Sequence, residues 1–333
     1  MPAPLPVSTA RAPARIDLAG GTLDIYPICQ LEPEAVTVNL AIDRLATARV
    51  RVRDDGRFVL AARDRRLRVV CRERAELRAA GPLALHRQVA LHLGPAGGVE
   101  IETRSGVPAG SGLGGSSTLV VAMLHALAGA GGPRLGRAAL LRTAGELEAR
   151  VIGVPTGSQD HVGALYGGLS VVTFPPGGPQ RRALPLDVDA LAARLVLVYT
   201  GVPHDSATNN WEITKRYVDG DRRVRARIAA VADAARALLA ALRAGDLDAA
   251  GRAMAAEWEA RKRLAPGVTT PGIEALADAV GEAGALATKA CGAGGGGCVV
   301  VWCRDGTRRA VAAAARAAGG RVLPFRAERR GVR

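Results

Sequence analysis

The stretch VPAGSGLGGSSTLVVAML, residues 107–124, sets glycines and serines directly in front of an apolar run. Its apolar part continues as STLVVAMLHALAGA (117–130), which predicts a largely buried helix closed by Gly131-Gly132-Pro133. Just upstream, VEIETRS (99–105) alternates as a strand does. The order is strand, glycine loop, helix. A helix N-terminus leaves backbone N–H groups unpaired and carries partial positive charge. Glycines let those groups approach an anion closely and adopt positive φ. The stretch therefore predicts a phosphate cradle. Its serine hydroxyls either cap the helix or reach a metal that bridges phosphates.

Two familiar loops fit less well. Gly110, Gly112 and Gly115 satisfy GxGxxG, but no acidic residue follows until Glu146, too far on for a ribose contact. A P-loop needs GK[ST], and this stretch has no lysine. A serine-capped turn without a ligand stays open on this stretch alone.

Outward from the loop, AVTVNLAIDRLATARVRVR (35–53) reads as a hairpin or meander, continued by RFVLAA and LRVVCR. Helices are predicted over 84–93 and 136–153, and strands over 167–174 and 194–201. PPGGPQ (175–180) is a turn near a domain boundary. Long Ala/Arg/Leu helices follow over 221–244, 246–264 and 271–284, then a glycine cluster and a strand over 298–304. Strands and helices mix in both halves without the regular alternation of a doubly wound sheet.

With 333 residues the chain has room for two domains. At 48% hydrophobic and 23% charged it reads as globular, and at 3% aromatic its core is mostly Ala, Val and Leu. Its 45 basic and 31 acidic residues leave +14, nearly all from arginine, since only Lys215, Lys262 and Lys289 are lysines. That balance suits nucleic acid or an anionic small substrate. The arginines are scattered and no nucleic-acid motif occurs, so a nucleic-acid partner is not expected. No apolar run reaches the roughly 18 to 20 residues of a membrane span, and the first residues have no signal-peptide core. The expectation is a cytoplasmic chain with no membrane partner. Five cysteines without a CxxC pair read as reduced thiols, and the five histidines, isolated in sequence, read as structural.

Two further segments join the glycine loop: RAPARIDLAGGTLD (11–24) and KACGAGGGGCVVVW (289–302). The first carries A-P-x-[KR] as Ala12-Pro13-Ala14-Arg15. The loop carries P-x-G-x-G-L-G-S-S as Pro108 to Ser116, with Gly115 where the pattern has its first serine. The last carries G-A-G-G-G-G from Gly292 to Gly297. In this order and spacing the three resemble the signature set of the GHMP family of small-molecule kinases. PTGSQDHVGALYGG (155–168) and EWEARKRLAPGVTTPGI (257–273) are similar to its heptose 7-phosphate kinase and fucokinase-like branch.

The resemblance implies an α+β, two-domain fold. Its N-terminal ATP-binding domain (1–185) is ribosomal-protein-like, with a left-handed βαβ crossover. Its C-terminal domain (186–333) is ferredoxin-like. ATP and Mg²⁺ are the implied cofactors. Pro108, Gly110, Ser111, Gly112, Leu113, Gly114, Gly115, Ser116 and Ser117 would hold the nucleotide, and Ser116 with Glu148 the metal. Asp160 would take the proton of an acceptor hydroxyl, with Arg15 as its fixed cation. In G-x-P-[ST]-G-x-D this chain has one extra residue, Ser158 or Gln159, before the aspartate. Asp24, Gly21, Gly294, Gly295 and Lys289 would join Asp160 around a sugar or sugar phosphate. Arg261, Lys262, Arg263 and Lys289 are the candidates to clamp a phosphate on that sugar. A homodimer is one assembly open to such a chain.

Overall fold

In the computed structural model, which describes residues 5–203 and 206–333, the first motif lies in β1 (Val7–Ala19), a long strand paired antiparallel with β2 (Val36–Val52). α1 (Ile28–Leu31) lies between them. The segment expected to be a hairpin or meander is thus one continuous strand. The register slips between Pro13/Ala14 and Leu45/Ile42, so Asp43 and Arg44 are extra residues on β2. They form a bulge and not a turn, and Pro13 sits at the irregularity, where a missing N–H is tolerated.

The chain continues through β3 (Phe58–Ala62), β4 (Leu67–Cys71), α2 (Ala84–Leu93), β5 (Val99–Arg104), α3 (Gly115–Gly129), α4 (Arg137–Ile152), α5 (Gln159–Tyr166), β6 (Leu169–Thr173) and β7 (Gln180–Ala183). These strands form one sheet in the order β4-β3-β5-β2-β6-β7, with β1 on β2. Among the described residues, only β3 and β5 pair in parallel. The expected strand–loop–helix order around residue 110 is β5, loop, α3.

After α6 (Val188–Ala193) come β8 (Leu195–Tyr199), α7 (Ser206–Val218), α8 (Arg222–Arg243), α9 (Leu247–Arg261), α10 (Pro271–Glu282), β9 (Ala285–Ala290), β10 (Cys298–Cys303), α11 (Arg308–Ala317) and β11 (Arg321–Leu323). The second sheet is antiparallel in the order β11-β8-β10-β9. First strand between fourth and third, with the second outside, is the ferredoxin-like βαββαβ arrangement. Asp221, Asp246 and Thr270 cap α8, α9 and α10 by accepting from first-turn N–H groups, which fixes where each helix starts.

The cores do not respect the break between the sheets. Ala10, Ala12, Ala48 and Val50 pack with α2, α3 and α4. Ile16, Leu18, Val38 and Leu40, on the same two strands, pack in one cluster with α8, α9 and the second sheet. The last segment also crosses back. Glu328 N–H donates to Ala41 O at 2.9 Å, Gly168 N–H to Glu328 O at 2.7 Å, and Arg11 N–H to Arg333 O at 2.7 Å. None of the helices described is long and apolar enough to cross a membrane.

Candidate active site

Arg15 joins the first motif to the glycine loop and to Asp160 of α5. It is 2% exposed, and its fork grips Asp160 Oδ1 with Nε at 2.7 Å and Nη2 at 2.5 Å. Nη1 donates to Gly112 O at 2.7 Å, and its backbone N–H to Leu113 O at 3.3 Å. One planar guanidinium thus fixes the carboxylate of α5 relative to the glycine loop, which a lysine point charge would not do. Burial alone would lower its pKa, but the carboxylates of Asp160 and Asp17 raise it above the usual value, so the cation persists.

The loop itself runs from strand to helix on left-handed glycines, as the sequence predicts. Gly110, Gly112 and Gly114 all have positive φ, and Gly114 is the N-cap of α3. No side chain caps that helix, so the serines leave its first-turn N–H groups to face the cleft. Cys298 N–H donates to Ser111 O at 2.8 Å, seating the loop on the third motif. A Cβ at Gly114 would lie 3.0 Å from Asp160 Cβ and Cγ. Gly114→Ala is therefore expected to push Asp160 off its position and lower kcat by on the order of 10²-fold; steady-state kinetics would check it.

Glu148 is buried at the side of the loop. Ser117 Oγ donates to its Oε2 at 2.8 Å, and Thr156 Oγ1 at 3.4 Å. His161 Nε2 lies 3.0 Å from the same oxygen, within ion-pair reach but without a hydrogen bond of good geometry. Burial would raise the Glu148 pKa, but His161, Ser116 and Ser117 hold it below the ordinary value. His161 is pushed down by burial and raised on balance by Glu148. Together with Ser116 and Ser117, Glu148 offers the oxygen donors that hard cations prefer.

One cleft of about 500 Å³ contains Arg15, Asp24, Gly110, Ser116, Glu148 and Asp160. Asp24 is buried, and its Oδ2 accepts the Gln159 N–H at 2.9 Å. Burial raises its pKa to about 6, helped by Asp160 and Asp17.

Several expected contacts are not made. Lys289 is fully buried and does not line the cleft. Its Nζ sits 2.9 Å from Asp17 Oδ1 and 3.1 Å from Glu257 Oε1. Asp17 and Glu257 also receive Arg261 Nη1, at 3.1 and 3.5 Å. Lysine and arginine each need a counterion when desolvated, and two carboxylates of β1 and α9 provide them. Gly21 backs onto this cluster, Gly294 and Gly295 lie against Val268 and Gly267, and Leu113 turns into the core. From the third motif, Gly292 and Ala293 reach the cleft instead. Of the proposed clamp only Arg261 lines it, while Lys262 and Arg263 pair with Glu259 outside.

The sequence reading missed His161, Gln159, Asn210 and His86, of which the last three line the cleft. His161 adjoins Asp160, and that adjacency was its one signal. His86 is buried against Thr103 Oγ1 at 2.7 Å, and burial lowers its pKa to about 4, so it is neutral. His204 lies outside the described residues.

The GHMP kinases N terminal domain family matches residues 80–168, and the GHMP kinases C terminal family residues 238–321. A D-glycero-alpha-D-manno-heptose 7-phosphate kinase of Campylobacter jejuni is 27% identical over 300 residues, 86% of each chain. A galactokinase of Mycobacterium bovis is 30% identical over 236 residues, covering 62% of this chain and 64% of that protein. The crystal structure of a D-glycero-D-manno-heptose 1-phosphate kinase from Bacteriodes thetaiotaomicron superimposes with a TM-score of 0.76 at 25% identity, over 98% of this chain and 97% of that one. With both family domains matched and the three motifs converging on one cleft, the chain belongs to the GHMP kinases, phosphotransferases that use ATP to phosphorylate an alcohol group of a small molecule.

Proposed function

We propose that this chain phosphorylates a hydroxyl, the anomeric one, of a sugar or sugar phosphate such as D-glycero-D-manno-heptose 7-phosphate, with ATP and Mg²⁺. The observation that carries the reading is the Asp160 carboxylate, held by an Arg15 that also donates to the carbonyl of Gly112, with Asp24 in the same cleft. Phosphoryl transfer asks mainly for positioning and charge stabilisation. The uncapped start of α3 and the unpaired amides of the glycine loop before it receive the phosphates. Asp160 accepts the proton of the incoming hydroxyl, and Arg15 keeps that carboxylate aimed. Ser116 or Ser117 with Glu148 would hold Mg²⁺, which when bound neutralises charge on the phosphates. Among the described residues no three His, Cys, Asp or Glu gather around one point. That suits a cation held chiefly by phosphates and water. We place the domain boundary at 185/186, between β7 and α6, with the returning segment after β11 attached to the first sheet.

The test is a coupled ADP-release assay with heptose 7-phosphate, fucose, galactose and mannose. Transfer to none of them would refute the sugar reading in favour of another small alcohol, such as homoserine or mevalonate. Nucleotide binding without turnover on any acceptor would indicate a sensor. One observation favours a free sugar within this reading. Arg261 and Lys289 both have their charges met by Asp17 and Glu257, which leaves them little to offer an added phosphate.

Asp24 gives the reading a pH signature. Its folded pKa of about 6 lies above the ordinary 3.8. Above pH 6 it is a carboxylate that accepts from sugar hydroxyls. As pH falls through 6 it takes a proton and loses acceptor capacity. Acceptor KM is therefore expected to rise towards about pH 5, while Asp24→Asn has a high KM that no longer follows pH. KM profiles for both proteins would check this.

A further inference from the structure

Gln159 is the first residue of α5, between the residue that caps nothing, Ser158, and Asp160. It is 6% exposed and lines the cleft. Its backbone is used, since its N–H donates to Asp24 Oδ2 at 2.9 Å. Its side chain is not. Oε1 is buried without a hydrogen-bond partner among the described residues. Buried carboxamides are ordinarily hydrogen-bonded, so an unmet one in a cleft wall points to a ligand that completes it. A carboxamide both donates and accepts, which matches a hydroxyl group. In chain order it stands next to the base, and its backbone is tied to Asp24. Ser158-Gln159 is also the pair that occupies one position more than the motif G-x-P-[ST]-G-x-D allows.

We infer that Gln159 is a specificity-determining residue whose carboxamide binds the hydroxyl adjacent to the one phosphorylated, the 2-hydroxyl of a sugar acceptor. Asp24 accepts from other hydroxyls of the same ring. The inference rests on the sugar-kinase reading above. It adds the feature by which the enzyme distinguishes a vicinal diol from an alcohol flanked by CH₂. A site that supplies a buried polar partner rejects an analogue lacking the hydroxyl, because the partner is then left unpaired.

The experiment compares wild type with Gln159→Met and Gln159→Glu, using ATP and heptose 7-phosphate, galactose and fucose, with 2-deoxy-galactose and 2-deoxy-fucose as probes. Wild type should prefer each sugar over its 2-deoxy form. Gln159→Met should lower kcat/KM for the full sugar roughly 10- to 100-fold, chiefly through KM, and erase the preference over the 2-deoxy form. Its KM for ATP should not change, and its melting temperature should hold or rise, since an unmet polar group has been replaced by an apolar side chain of similar size. Gln159→Glu keeps an acceptor but loses the donor, and should retain part of the preference. Wild-type discrimination in Gln159→Met would overturn the inference while leaving the sugar-kinase reading intact. A wild type that phosphorylates no sugar overturns both. A lowered melting temperature with unchanged acceptor preference would assign Gln159 a structural role instead.

Discussion

Asp160→Asn is expected to bind ATP normally and to lose on the order of 10²- to 10⁴-fold in kcat. The asparagine has the shape of the aspartate and can still meet Arg15, but it cannot take a proton from the acceptor. The Arg15 fork keeps its bond to Gly112 O, so the phosphate loop should stay in place. Asp160→Ala goes further, because it removes the counterion from a cation that is 2% exposed. Transfer should then be abolished, with some loss of stability as well. ADP release measures the chemistry, and nucleotide titration by calorimetry measures the binding. Near-normal turnover in either variant would remove Asp160 from the reaction.

The second large effect is on stability. Asp17, Glu257, Arg261 and Lys289 form a buried cluster of two anions and two cations, contributed by β1, α9 and β9. It joins the strand of the first motif to the second half of the chain. Lys289 and Arg261 depress the Asp17 pKa against the burial that would raise it, so the aspartate is ionised. Lys289→Met strands one negative charge in the interior. The expected loss is about 3–5 kcal/mol, or a fall of roughly 4–7 °C in Tm at this chain size. Lys289→Met combined with Glu257→Gln removes one charge of each sign and should recover part of the loss, which a double-mutant cycle would read as coupling. Arg261 Nη2 also donates to Gly292 O at 2.6 Å and lines the cleft. The single variant should therefore raise acceptor KM as well. A Tm within a degree of wild type would show that the cluster is not what joins the two halves.

Much of the site was legible because its chemistry is local. Glycines at 110, 112 and 114 with positive φ, a strand before them and a helix after are properties of adjacent residues. Asp160 and Arg15 were legible through the motifs around them. Lys289 was misread because its environment is set by Asp17 and Glu257, 272 residues upstream of it and 32 upstream of it respectively, by their numbers. The glycines of the third motif were misplaced by two or three residues for a related reason, since which part of a turn faces a cleft depends on what stands opposite. His161 looked isolated in sequence, yet α4 places Glu148 beside it.

The sequence alone determined the order of strand, glycine loop and helix around residue 110, the long helices of the second half, and a core of small aliphatic residues. Those follow from backbone conformation and from hydrophobic period, which neighbouring residues control. Tertiary structure alone decided that β1 and β2 each serve two cores, that the final residues return to the first sheet, and that one lysine is a buried counterion while a glutamine beside the cleft has a buried carboxamide oxygen without a partner among the described residues. Burial and pairing of polar groups depend on partners far away in the chain, and only folding brings those partners within hydrogen-bond distance.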